Sequence, residues 1–475
     1  MAEERFPVLL WFRRDLRLSD HAALNAACAS GRPVIPVFIL DDCAETLGAA
    51  AKWRLGAGLE AFAATLAQRG SRLVLRRGGA LETLRALVRD TGAGAVWWMR
   101  AYDPRSRERD AAIKTALKSD GIGARSFSGQ LLFEPWRVAT KAGTPFKVFT
   151  PMWRAVRGRD VAEPLPPPGR IAAPGNWPRS DALEDWALGH AMRRGAAVVA
   201  GHSAPGEAAG LDRLDSFVSQ RIDQYEQLRD RPDLDATSGL SEYLALGEIS
   251  ASRCWHAGLR VRAQNPKGAE AFLRQLVWRD FAHHLMYHTP RILTRNWRED
   301  WDAFPWRTAT DSPEVIAWKR GRTGIALVDA AMREMYVTGR MHNRARMVAA
   351  SYLTKHLLTH WRIGQDWFAA HLTDWDEANN ALGWQWVAGS GPDAAPYFRI
   401  FNPETQARKF DPEGAYRQRW IAEERKRPAA TALAYFDAIP RRWGLSPGDP
   451  YPEPVVSLAR GRAAALDAYH GAAPG

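Results

Sequence analysis

Residues 6–12 read "FPVLLWF", an apolar run that stops at the charged "RRD" of residues 13–15. With no polar alternation, this stretch reads as a strand buried on both faces, not one half in water. Similar runs follow at 33–40 ("PVIPVFIL"), 72–77 ("RLVLRR"), 95–100 ("AVWWMR") and, more weakly, 124–128 ("ARSFS"). Amphipathic segments such as "KWRLGAGLEAFAATLAQRG" (52–70) lie between them. Strands alternating with helices imply a parallel sheet covered on both sides. The expected fold of residues 1–130 is therefore an α/β domain on a five-stranded, doubly wound parallel sheet. The single GxG, Gly56 to Gly58, lies inside a helical pattern and lacks a third glycine, so a dinucleotide fingerprint is not supported.

Beyond residue 130 the texture changes. "EPLPPPGRIAAPGNWPRS" (163–180) is dense in Pro and Gly, and residues 131–205 read as a long interdomain linker. From 206 to 475 strand patterns vanish and helical periodicity dominates, as in "KGAEAFLRQLVWRDFAHHLMYH" and "HNRARMVAASYLTKHLLTHW". That part reads as one all-helical domain.

The bulk numbers narrow the partners. The net charge of +12 and pI near 9.8 point to an anionic partner, nucleic acid or phosphate. Only 10 of the 65 basic residues are Lys, and Arg forks suit phosphate; a GC-rich coding bias accounts for the same preference. Cys28, Cys43 and Cys254 are scattered, which excludes a disulfide scaffold, a zinc site or a four-thiolate cluster within one chain. No metal site is expected. A cytoplasmic location is expected, with no signal peptide and no membrane span.

Four stretches carry candidate chemistry. In "DATSGLSEYLALG" the hydroxyls of Thr237, Ser238 and Ser241 gather around Gly239 at a helix start, which suits an anion as well as a plain helix cap. In "FLRQLVWRDF" the residues Gln275, Trp278 and Arg279 fall at i, i+3 and i+4, a wall that can stack an aromatic ligand and meet a phosphate. In "MHNRARM" Asn343 and Met347 share a face flanked by Arg344 and Arg346; a solvated basic face is the alternative. In "DWDEANN" Asp374 and Asp376 offer paired carboxylates, for which a salt bridge to a buried arginine such as Arg346 is the simpler reading. The next residues, "NNALGWQW" (379–386), place two amides and two indoles together. Local chemistry thus reaches a basic helical domain with a phosphate site and indole walls, without a named reaction.

The order "GTPFKVFTPMWRA", "TSGLS", "LVWRDF", "GRMHNRARM" and "NNALGWQWVAGSGPDAAPYFRIFNPETQARKFD" resembles the photolyase/cryptochrome family over essentially the whole chain. The resemblance implies FAD, folded into a U in the helical domain, and an antenna pigment in the α/β domain. It implies that Tyr225, Thr237, Ser238, Gly239, Leu240 and Ser241 bind the flavin nucleotide, the hydroxyls meeting its diphosphate. Arg346 and Asp374 match an ion pair against the isoalloxazine, Asp376 a further polar contact, and Asn380 the amide facing flavin N5. Trp278 and Trp386 match the sandwich around a nucleotide dimer flipped out of the duplex, joined by Gln275, Asn343 and Met347. Arg229, Arg279 and Arg344 match contacts to the DNA backbone. Trp384, Trp361 and Trp306 match an electron path to oxidised flavin, with Trp301, Trp367 and Trp375 leaving room for a branch. The implied activity is light-driven splitting of cyclobutane pyrimidine dimers in UV-damaged DNA by a monomer.

Three departures refine the subtype. Gln275 stands where cyclobutane-type enzymes usually carry Glu, yet its NH2 still donates a hydrogen bond. Gln also occurs there in (6-4) photolyases, but those carry His where this chain has Asn343. Ala101 replaces an acid of the enterobacterial folate pocket, and Arg340 stands where Trp is common. The resemblance is strongest to bacterial class III enzymes, which implies a 5,10-methenyltetrahydrofolate antenna in a different pocket. A blue-light photoreceptor of the cryptochrome type and a (6-4) photolyase are the alternatives.

Overall fold

A computed structural model describes residues 6–393 and 398–472. Residues 394–397, part of the last motif quoted above, lie outside it. The N-terminal sheet has five parallel strands: β1 (Val8–Phe12), β2 (Val34–Leu40), β3 (Val74–Arg77), β4 (Ala95–Met99) and β5 (Gly123–Phe127), in the order β3-β2-β1-β4-β5. Val8 of β1 lies opposite Val34 on one side and Ala95 on the other. Strand alternation sorts β1 between two cores. Val8, Leu10 and Phe12 pack with Leu55, Leu59 and Phe62 of helix Ala49–Ala67. Leu9 and Trp11 face the opposite core with Leu84 and Ile113, from helices Ala80–Thr91 and Pro104–Ser119. A strand that feeds two cores must be apolar throughout, which is why "FPVLLWF" shows no alternation. β5 is an edge strand with Gly123 and Arg125 exposed and only Phe127 fully buried, hence its weak signal.

The stretch read as a linker is divided between the two halves. Phe133, Phe146, Phe149 and Trp153 pack into the core of the helical half, and the Phe133 amide donates to Oδ2 of Asp280 at 2.9 Å. Further on, Ile171 and Trp186 return to the sheet core, and the Val34 amide donates to the Ala172 carbonyl. A buried ion pair also joins the halves: Nη1 of Arg54 meets Oε1 of Glu248 at 2.9 Å, both side chains fully buried. Removing one partner from such a pair costs about 3–5 kcal/mol.

After β5 the described residues hold helices and no strand, apart from one isolated bridge between Arg307 and Thr359. Helix Pro266–His288 runs through the middle and packs against helices Ala251–Val261 and Glu377–Ala388. Helix Asn343–Ser351 also packs on Glu377–Ala388 and continues into a π-helical turn at Tyr352–His356. These three helices, with the loop before helix Ser241–Leu246, position the residues singled out above. No helix among the described residues is long and apolar enough to cross a membrane.

Candidate functional site

The loop 237–240 owes its shape to one arginine. Arg213 donates from Nε to the Ser238 carbonyl at 2.7 Å and from Nη2 to the Thr237 carbonyl at 3.0 Å. Gly239 follows with φ +64°, a conformation a side chain resists. With its carbonyls turned to Arg213, the loop leaves the amides of Ser238, Gly239, Leu240 and Ser241 without acceptors in the chain. The hydroxyls of Thr237, Ser238 and Ser241 also lack protein partners. Consecutive unpaired donors form an anion-binding concavity. Tyr225 is buried nearby, edge-on to Phe217 with ring centroids 5.2 Å apart.

The expected ion pair is present, between helix Asn343–Ser351 and the turn that precedes helix Glu377–Ala388. Arg346 donates from Nη2 to Oδ2 of Asp374 at 2.7 Å and from Nε to the Met341 carbonyl. Oδ1 of Asp374 is buried without any partner. Asp376 caps helix Glu377–Ala388, with Oδ1 accepting the Asn379 amide at 2.9 Å and Oδ2 3.5 Å from Nε2 of His283. Burial alone pushes its carboxyl up, but His283, Arg279 and that amide overcome it and bring it down to about 2. Its side chain is therefore an ionised cap already in use. Asn380 is buried, and its Nδ2 donates to the Asp376 carbonyl at 3.0 Å, leaving Oδ1 free.

Gly383 sits on the same helix at an angle between those of Asn380 and Trp386. A Cβ built there meets nothing within 4 Å. Gly383 is thus exposed on a helix whose neighbours Leu382 and Trp384 are buried, which leaves open space beside Asn380 and Trp386.

Gln275 and Trp278 lie half-buried on helix Pro266–His288, and the Gln275 amide makes no hydrogen bond. Phe149 stacks on Trp278 at 3.8 Å with planes 8° apart, so one indole face is taken and the other remains. The Phe149 amide donates to the Asp393 carboxylate, and Nε1 of Trp386 donates to the Asp393 carbonyl at 3.0 Å. One loop residue thus ties together the two indoles expected to flank a ligand. Asn343 is exposed, with its Nδ2 3.7 Å from the Met347 sulfur.

The three arginines expected at the DNA backbone separate. Arg229 lies over the Tyr225 ring, and Arg344 binds Asp230 at 2.7 Å; both are partly exposed. Arg279 corrects the expectation: it is 8% exposed, and its Nη1 donates to the Gln130 carbonyl at 2.8 Å. Helix Pro266–His288 is enclosed on several sides, so the face that position 279 occupies points to the 130s segment and not to solvent.

The three tryptophans of the expected electron path are all buried. Trp384 presses against Gly364, where a Cβ would fall 2.0 Å from its ring. Gly364 lies one turn along the helix from Trp361, whose Nε1 donates to Oδ1 of Asn296. His360 bridges Trp361 and Trp306, with centroid separations of 5.4 and 5.1 Å. Trp384 also meets Trp318 edge-on at 6.2 Å.

Phe149, Gly383, His283 and Asp393 were not singled out in the sequence. All four fell within quoted stretches, but no spacing rule links Phe149 to Trp278 or Asp393 to Phe149. For FAD the donor set fits: unpaired amides and hydroxyls for a diphosphate, an orphaned carboxylate oxygen, a free amide oxygen and an open wall at Gly383. A separate cavity of about 180 Å³ opens at the strand-order reversal, lined by Arg13, Met99, Ala101 and Asp376 among others.

Comparison with known proteins follows the same division. A family profile described as "DNA photolyase" matches residues 8–169, and one described as "FAD binding domain of DNA photolyase" matches residues 272–471. The chain is 46% identical to a deoxyribodipyrimidine photo-lyase of Agrobacterium fabrum, over 99% of this chain and 98% of that protein. The crystal structure of a bacterial class III photolyase from Agrobacterium tumefaciens superposes with a TM-score of 0.91 at 43% identity, covering 99% and 98% of the two chains. An archaeal photolyase from Sulfolobus tokodaii, with two FAD molecules, matches with a TM-score of 0.78 at 28% identity, covering 98% of this chain and all of that one.

Proposed function

The chain belongs to the DNA photolyase/cryptochrome family, and from this we propose that it is a deoxyribodipyrimidine photo-lyase that repairs cyclobutane pyrimidine dimers in UV-damaged DNA with light. When bound, reduced FAD would supply light-driven one-electron transfer to the dimer. No side chain must then relay a proton.

The residues divide the remaining work. The amides and hydroxyls of 237–241 receive the diphosphate, where charge-assisted bonds contribute about 1.5–3 kcal/mol each. Arg346 and Asp374 together are near neutral, so they hold a ring without fixing its charge. The free Oδ1 of Asn380 offers a neutral acceptor beside it. The open face of Trp278, with Trp386, suits two stacked pyrimidines, and Gln275 has an uncommitted amide for their edges. Arg229 and Arg344 are the cations left to meet the backbone, which the net charge of +12 assists over longer range. A second chromophore, 5,10-methenyltetrahydrofolate, belongs to the same reading.

The observations that carry the proposal are the unpaired donors of the 237–241 loop and the orphaned Asp374 oxygen, with the two indoles tied through Asp393. The test is repair itself. Reduced protein mixed with an oligonucleotide bearing a thymine cyclobutane dimer should remove it under blue light and not in darkness. Light-independent or absent dimer loss overturns the proposal and favours a photoreceptor.

A further inference from the structure

Asp393 holds φ +55°, a conformation that glycine usually fills and that Asn and Asp tolerate best among the rest. Strain of this kind persists where the surroundings fix it, and it gathers at ligand sites. The polar groups of Asp393 reach two distant elements. Its Oδ2 accepts the Phe149 amide at 3.3 Å, and its carbonyl accepts Nε1 of Trp386 at 3.0 Å. Burial pushes the carboxyl up, against the pull of that amide. A carboxylate costs affinity at the edge of a pocket that meets DNA, so its benefit lies in the bonds it makes.

The Phe149 amide is the first N–H of helix Phe149–Val156, and the preceding residue, Val148, offers no side-chain cap. Asp393 supplies that cap from a different loop. Where this helix starts decides where the Phe149 ring lies. The ring stacks on Trp278, with centroids 3.8 Å apart and planes 8° apart. The Arg274 guanidinium, one turn before Trp278 on helix Pro266–His288, lies over the same ring at 5.5 Å. Phe281 meets Phe149 and Trp278 edge-on, at 5.9 and 5.6 Å. Phe149 and Phe281 are buried and Trp278 is half-buried, so the inner rings set the plane of the outer one.

Stacking is sensitive to spacing. A radial gap of about 0.5–1 Å forfeits a quarter to a half of a contact's dispersion energy. Two walls that grip a flat ligand must therefore be held to a fraction of an ångström. Asp393 bonds to the support of one wall and to the ring of the other. The two tethers differ in kind: the side chain holds Phe149, and the main chain holds Trp386.

We propose that Asp393 is the positioning residue of the dimer pocket. Its carboxylate fixes Trp278 through Phe149, and its carbonyl fixes Trp386. Together they set the spacing of the two indoles, and with it the preference for a flipped pyrimidine dimer over undamaged DNA. This assignment rests on the repair reading above.

The test uses the full chain loaded with FAD, kept in darkness, and two labelled duplexes of one sequence, one carrying a thymine cyclobutane dimer and one undamaged. Fluorescence anisotropy gives both dissociation constants. Asp393→Gly keeps the backbone conformation and the carbonyl tether but deletes the carboxylate. It should weaken dimer binding at least tenfold, with FAD content and affinity for the undamaged duplex at parental values. Asp393→Asn suits φ above zero and keeps an acceptor oxygen, so it should recover most of the loss. Phe149→Leu should match the Gly variant. The double variant Asp393→Gly/Phe149→Leu should lose no more than the worse single one, because the carboxylate acts through Phe149. Losses that multiply in the double variant, or equal losses on both duplexes, overturn the proposal. So does parental dimer affinity in Asp393→Gly with a lowered melting temperature, which is the behaviour of a plain helix cap. The parent chain reports on the repair reading separately. A parent that neither prefers the dimer duplex nor repairs it in blue light overturns both readings, whereas a repairing parent with an unaffected Gly variant overturns only this one.

Discussion

Nη2 of Arg346 lies 2.7 Å from Oδ2 of Asp374, while the second oxygen of that carboxylate is buried and unpaired. A buried carboxylate oxygen without a donor is a costly arrangement unless a ligand completes it. Asp374→Asn keeps the shape and removes the charge that holds Arg346. Charge-assisted hydrogen bonds are worth about 1.5–3 kcal/mol, so flavin affinity should fall about ten- to a hundredfold. The flavin-to-protein absorbance ratio after dialysis checks this; parental occupancy in the variant would argue against a flavin at this pair.

Asp376 makes stability depend on acid. Its folded value of about 2 lies below the ordinary 3.8, despite burial, because His283, Arg279 and the Asn379 amide favour the carboxylate. A depressed carboxyl adds stability above its unfolded value, and that stability drains as pH falls from about 4 towards 2. The contribution is on the order of 2 kcal/mol. Asp376→Asn keeps a good helix cap but should lose this dependence, so melting curves of parent and variant should converge as pH drops. Parallel curves throughout would refute the assignment.

Trp384→Phe should slow photoreduction of oxidised flavin while repair by chemically reduced protein stays close to the parent. The indole packs against Gly364 and Phe368, so the smaller ring leaves a void that costs roughly 1–3 kcal/mol. Transient absorption and a repair assay on the same preparation separate the two effects. Unchanged photoreduction means that electrons enter elsewhere.

Gly383 gives a steric test. Since nothing stands within 4 Å of its missing Cβ, Gly383→Leu should fold, and better helix propensity offsets about 0.5–1 kcal/mol. The side chain then occupies the space between Asn380 and Trp386. Loss of flavin or of dimer binding with unaltered circular dichroism is the expected result; full flavin content and full repair would show that the space serves neither.

The two-part fold was readable because it rests on local pattern. β1, β2 and β4 appear as apolar runs since each packs on both faces, whereas β3 ends in Arg76 and Arg77 and β5 is faint, because both are edge strands. The ion pair of Asp374 with Arg346 was also readable, from a carboxylate and a guanidinium among helices. Arg279 was misplaced for a physical reason. Periodicity says which residues share a helical face, but it does not say whether that face meets solvent or the 130s segment. Phe149 on Trp278, and Asp393 between Phe149 and Trp386, join residues more than a hundred positions apart or across a loop, with no repeat to announce them.

The amino-acid order alone determined the parallel sheet, the helical second half and the family motifs, because burial on both faces and helical spacing are written in neighbouring residues. Tertiary structure decided which polar groups remain unpaired: the amides of 238–241, Oδ1 of Asp374 and Oδ1 of Asn380. A group is left without a partner only once every other segment has taken its place, so satisfaction of hydrogen bonds is a property of the packed molecule and not of any stretch within it.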